Sequence, residues 1–79
     1  MDTRTFVRIP CRSRADAKEL ALRLQADDRN AVCRWQAVVV STETRVEAEQ
    51  LALSLESWVG SGSPHIWETP SRNPVAILA

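Results

Sequence analysis

Arg14-Ala15-Asp16-Ala17-Lys18-Glu19-Leu20-Ala21-Leu22-Arg23-Leu24 returns 31 positions later, without a gap, as Arg45-Val46-Glu47-Ala48-Glu49-Gln50-Leu51-Ala52-Leu53-Ser54-Leu55. Six of these eleven positions are identical and others are conservative. The same offset lays Val7-Arg8-Ile9 over Val38-Val39-Val40, so the repeating unit is a strand followed by a helix, present twice. Two unrelated amphipathic helices could share such a stripe, but the matched strands and helix starts speak against coincidence.

The helical half of each unit has a start signal and a buried face. Ser13 and Thr44 stand where a hydroxyl can accept from a first-turn N–H, and Asp16 and Glu47 follow three residues later at the positive end of the helix. Ala17, Leu20, Ala21 and Leu24 fall at i, i+3, i+4 and i+7, and Ala48, Leu51, Ala52 and Leu55 repeat that spacing. These stripes are expected to lie on a sheet, the alanines permitting close approach and the leucines supplying buried area. Leu22 and Leu53 sit about 200° round the helix from Leu20 and Leu51, and with Ala15 and Val46 they draw a second, narrower apolar line. That line is expected to pack the helices side by side, with a homodimer through Leu22 and Leu53 as the alternative.

In the strand half, alternation puts Thr5, Val7 and Ile9 on one face and Arg4, Phe6 and Arg8 on the other. The segment from Ala31 to Thr42 is β-prone throughout and has no Gly, Pro or Asn to mark a turn. Strands usually run about five or six residues, so two strands meeting near Arg34 to Gln36 are expected, with one bent strand as the alternative. The second helix is expected to continue through Trp58 and Val59 and to stop at Gly60-Ser61-Gly62-Ser63-Pro64. His65-Ile66-Trp67-Glu68 then reads as a closing strand. The predicted fold class is α+β, a ferredoxin-like βαββαβ two-layer sandwich built from the tandem repeat, with one domain over residues 1–69. Residues 70–79 are expected to form a C-terminal apolar tail.

Composition bounds the function more by exclusion than by signal. At 79 residues, 44% hydrophobic and 25% charged, the chain can hold one modest core. Ten basic residues balance ten acidic ones, so net charge does not steer the chain toward nucleic acid or an anionic membrane. No run approaches the about 20 apolar residues of a membrane span, and the N-terminal residues lack the apolar stretch of a signal peptide, so a cytoplasmic location is expected. Cys11 and Cys33 are too few for a disulfide framework. With His65 they show none of the spacings that hold a metal, so no metal and no cofactor are expected. A nucleophilic enzyme would require folding to bring Cys11 to His65, and without a phosphate-cradling loop or paired carboxylates the expectation is a protein that is not an enzyme.

Three resemblances follow from these segments. Ile9-Pro10-Cys11-Arg12-Ser13-Arg14 resembles the loop after the first strand of heavy-metal-associated domains, but Arg14 stands where they carry a second cysteine. The tandem strand and helix of the A-x-x-L-x-x-x-L type resembles the SPOR peptidoglycan-binding repeat over most of the chain. Pro10 and Arg12 replace the Gly and Phe usual there, which limits that resemblance to architecture. Phage-encoded inhibitors, including anti-CRISPR proteins, are similar in size alone.

What remains is a non-catalytic protein-binding module or inhibitor. Its expected contact residues are Phe6, Arg8 and Val39 on the open sheet face, Trp35 and Trp67 as aromatic anchors, and Ile77 and Leu78 in the tail. The alternative is an oligonucleotide- or glycan-binding platform on the same face, where Arg8 and the aromatics would stack on ligand rings. RNA-recognition domains place aromatics on both central strands, whereas here the third strand offers Ala37 and Val39, so nucleic acid is the less expected partner.

Overall fold

Alternation along the first strand decides which side of the sheet is covered. In the computed structural model, which describes residues 3–60 and 62–70, β1 runs Thr3–Pro10, with Thr5, Val7 and Ile9 buried and Arg4 and Arg8 exposed. β1 is followed by α1 (Arg14–Ala26), β2 (Asn30–Arg34), β3 (Ala37–Thr42), α2 (Arg45–Ser54), a 3-10 turn (Glu56–Trp58) and β4 (His65–Pro70). The four strands form one antiparallel sheet in the order β2-β3-β1-β4, so the molecule is α+β and has the layering of a small two-layer sandwich.

Both helices start as their caps dictate. The Ser13 hydroxyl accepts from the Asp16 N–H and the Thr44 hydroxyl from the Glu47 N–H, each at 3.1 Å. Their leucine and alanine stripes then lie on the same face of the sheet. Ala17, Leu20, Ala21, Leu24, Ala48 and Leu51 join Val7, Ile9, Val38 and Val40 in one core, α1 over β2 and β3 and α2 chiefly over β1. The expected layering of two stripes over one sheet is therefore observed.

The segment Ala31 to Thr42 folds as two strands, joined by the two-residue turn Trp35-Gln36. Trp35 takes a positive φ of 57°. A side chain in that region costs roughly 1–2 kcal/mol, so the turn is made at some cost by a residue that gives no turn signal in the sequence.

Two expectations are corrected. α2 does not continue through Trp58 and Val59 but ends at Ser54, whose hydroxyl donates to the Leu51 carbonyl. The chain tightens into the 3-10 turn and swings inward, so that Trp58 and Val59 pack against the core and Val59 bridges to Cys11. Gly60 then donates to the Pro10 carbonyl at 2.9 Å, and a Cβ there would stand about 2.5 Å from the backbone of Arg12. Only glycine fits that approach.

The second apolar line does not pack the helices side by side. Leu22 is 66% exposed, Leu53 72% and Val46 62%, because the turn that separates them from the buried stripe points them away from the sheet.

Candidate binding face of the sheet

The face opposite the helices is composed of the alternate residues of all four strands. β1 supplies Arg4, Phe6 and Arg8, and β4 supplies His65, Trp67 and Thr69. Register brings Phe6 opposite Trp67 and Arg8 opposite both His65 and Val39. Val39 in turn faces Val32 of β2. Cross-strand neighbours on one face lie near enough for aromatic side chains to interact. Phe6 and Trp67 stack with ring centroids 5.5 Å apart and 20° between planes, and His65 stacks on Trp67 at 5.5 Å and 21°. The result is a continuous row of three rings, with Phe6 and Trp67 half-buried and His65 exposed.

Of the expected site residues, Phe6, Arg8, Val39 and Trp67 share this face. Ala37 lies on it by alternation yet is fully buried, opposite Pro10 on one side and Arg34 on the other. Trp35 is elsewhere. It projects from the end of the sheet, 77% exposed, with the Arg14 guanidinium 4.9 Å from its ring centroid. Ile77 and Leu78 lie outside the described residues.

Val32, Arg34 and His65 also lie on the face although no sequence expectation placed them there, and Arg4 lies where alternation put it. The signal for His65 was present, since it stands two residues before Trp67 on a strand. Arg34 and Val32 required knowing where the β2–β3 turn falls, because a shift of one residue reverses the face. Arg4 donates to the Ser41 hydroxyl at 3.2 Å, which holds its guanidinium over the sheet beside the rings.

The charges are segregated between the two sides. Among the described strand residues of the open face there are three arginines, one histidine and no carboxylate. The nearest acid in register is Glu43, one residue past the end of β3. Ion pairs among the described residues all fall elsewhere: Glu19 with Arg23, Arg29 with Glu47, and Arg45 with both Glu49 and Glu68. A net charge of zero therefore hides a basic side.

Cys11 and His65 do not meet. The Cys11 side chain belongs to the helix-covered core, where its thiol lies 3.6 Å from the Ile9 carbonyl, whereas His65 stacks on the opposite face. Burial, reinforced by Asp16 and Cys33 and opposed by Arg12, pushes the Cys11 thiol up from its ordinary value. A thiol so placed stays protonated at neutral pH and is a poor nucleophile. Among the described residues no group of three His, Cys, Asp or Glu side chains converges, and no helix is long and apolar enough to cross a membrane.

A second surface feature is a shallow groove between α2 and the start of β4, lined by Ala52, Leu53, Val59, Pro64 and Ile66 with Glu49 and Glu56 at its rim. It exists because α2 stops short. Comparison with protein-family models, with curated proteins and with solved structures gave no match.

Proposed function

We propose that this chain is a small non-catalytic binding module whose contact surface is the open face of its sheet. One observation carries the reading: Phe6, Trp67 and His65 form a stacked row on the side away from the helices, where none of the described helices or strands covers them. Large aromatic groups left partly open beside arginine are the composition of interaction hot spots, because they bring contact area at low conformational cost. The order βαββαβ with strands arranged β2-β3-β1-β4 supports the finer reading of the fold as ferredoxin-like, an architecture that implies no function of its own.

A protein partner or inhibited target would cover Val39 and Val32 together with Trp67, and a homodimer would use Leu22 and Leu53 on the helix side instead. The inhibitor version rests on chain size. The test is affinity capture with the full chain and with two variants, Trp67→Ala on the sheet and Leu53→Ser on the helices. Loss of the captured ligand with Trp67→Ala but not with Leu53→Ser is expected. The opposite pattern would move the contact surface to the helices.

A further inference from the structure

We infer that the occupant of this face is single-stranded nucleic acid, a deepening that rests on the sheet-face reading above. A protein partner is matched by apolar area and a mixture of charges. This face instead joins two features that single strands need together: ring faces on which bases stack whatever their sequence, and cations to follow the phosphates.

The layout meets both needs. The row Phe6, Trp67, His65 crosses from the central strand to the edge strand, and Arg8 lies opposite His65 while Arg4 is held on the other side of Phe6 by the Ser41 hydroxyl. Cations thus border the rings on their β1 and β3 side, Arg8 beside His65 and the Arg4 guanidinium at Ser41 across from Phe6, as phosphates would border stacked bases. Arg34 adds a third positive charge on β2, and none of the three arginines forms an ion pair with a described residue. The carboxylates of the described residues lie on helices, in turns and on the covered side. A polyanion approaching the sheet therefore meets a basic surface despite the balanced composition.

The rings are too closely stacked on one another to admit a base between them, so bases would stack on the outward faces of Phe6 and His65 at the two ends of the row, which Trp67 holds in line. Stacked rings and phosphate-following arginines do not read base edges. Binding is accordingly sequence-tolerant, and duplexes, whose bases are already stacked, are excluded from the row.

The experiment uses the full chain and end-labelled oligouridine and oligodeoxythymidine of about eight nucleotides, followed by fluorescence anisotropy and by amide chemical-shift mapping. Three phosphate contacts on a single strand give a slope of about −2 in log affinity against log salt, a loss of roughly twentyfold between 50 and 200 mM. Trp67→Ala is expected to weaken binding at least roughly fivefold. Arg8→Ala should reduce the salt slope by about 0.7, and Arg23→Ala on the helix side should change neither quantity. Shifts should gather on the four strands. Failure of the chain to bind either oligomer, while a captured protein is released by Trp67→Ala, would overturn the nucleic-acid inference and leave the sheet-face reading standing. Oligomer binding without salt dependence would also overturn the inference. Any ligand mapped to the helices would overturn both.

Discussion

The two copies of the repeat match position by position as far as their helix caps and then diverge, and the divergence shows what a repeated sequence can and cannot specify. Val7 and Ile9 in the first copy and Val38 and Val40 in the second are all fully buried, and Cys11 and Thr42, one offset apart, are both buried at the strand ends. The stripes that follow have the same residues but different fates. In the first copy Ala17, Leu20, Ala21 and Leu24 are buried, whereas in the second only Ala48 and Leu51 are, with Ala52 and Leu55 half-covered.

The cause lies beyond each helix. α1 ends in a Schellman motif, with Asp28 at a φ of 64°, its N–H bonded to the Gln25 carbonyl and that of Arg29 bonded to the Leu24 carbonyl. This tight reversal sends β2 back under the helix. Gln25 reaches over to donate to the Ala31 carbonyl. α2 has no such reversal, and the turn through Glu56–Trp58 leads its chain away before β4 begins, leaving the groove beside Ala52 and Ile66. A stripe fixes which face of a helix is apolar. Its neighbour fixes how much of that face is buried.

Matched substitutions test that contrast where the effect is largest. Leu24→Ala should cost roughly 2 to 5 kcal/mol, as for other leucines removed from a closed core. Leu55→Ala, at the equivalent but only half-buried position, should cost only about 1 kcal/mol. Chemical denaturation of the two variants measures both losses. Equal losses would mean that the two copies are more alike than the fold shows.

Gly60→Ala addresses the point at which the second copy departs. The added methyl must displace the Cys11–Arg12 backbone, and a loss of about 1 to 3 kcal/mol is expected from such overpacking. An unchanged denaturation midpoint would show that the turn shifts without cost.

The smallest expected effect concerns the matched pair Cys11 and Thr42. The folded thiol resists ionisation, so its stabilising contribution is complete below the ordinary thiol pKa and is lost as pH rises through the higher folded value. Stability should therefore fall more steeply in alkaline solution for the unsubstituted chain than for Cys11→Ala. The second copy has only a threonine at this place, hydrogen-bonded to the Thr44 carbonyl, and adds no such dependence. Parallel pH profiles for the two proteins would contradict the burial argument.

Much of this contrast is legible in the sequence. The offset repeat, Ser13 and Thr44 as caps, the two stripes and the open positions of Phe6, Arg8 and Val39 all follow from local periodicity, which a single helix or strand expresses by itself. The division at Trp35-Gln36 was readable only from strand length, since the turn accepts a tryptophan at positive φ in place of a glycine. The early end of α2 was not readable, because Glu56, Ser57 and Trp58 suit a helix and are drawn inward only by the core that Trp58 and Val59 help to close. Nor was the basic side. Arg34 and His65 join Arg4 and Arg8 through strand order and register, quantities that depend on long-range pairing and leave no mark in composition.

The central position of β1 has a consequence for how the chain comes to exist. This strand leaves the ribosome before the other described strands and helices, yet its first partner is not complete until Thr42 has been made, and its second not until Pro70. Until then Val7 and Ile9 have no stable shelter, and the pairing they await spans most of the chain, which is the kind of distant contact that slows folding. A nascent chain halted after Gly60 would have both helices and a three-stranded sheet, but with Phe6 facing an empty edge where Trp67 should lie.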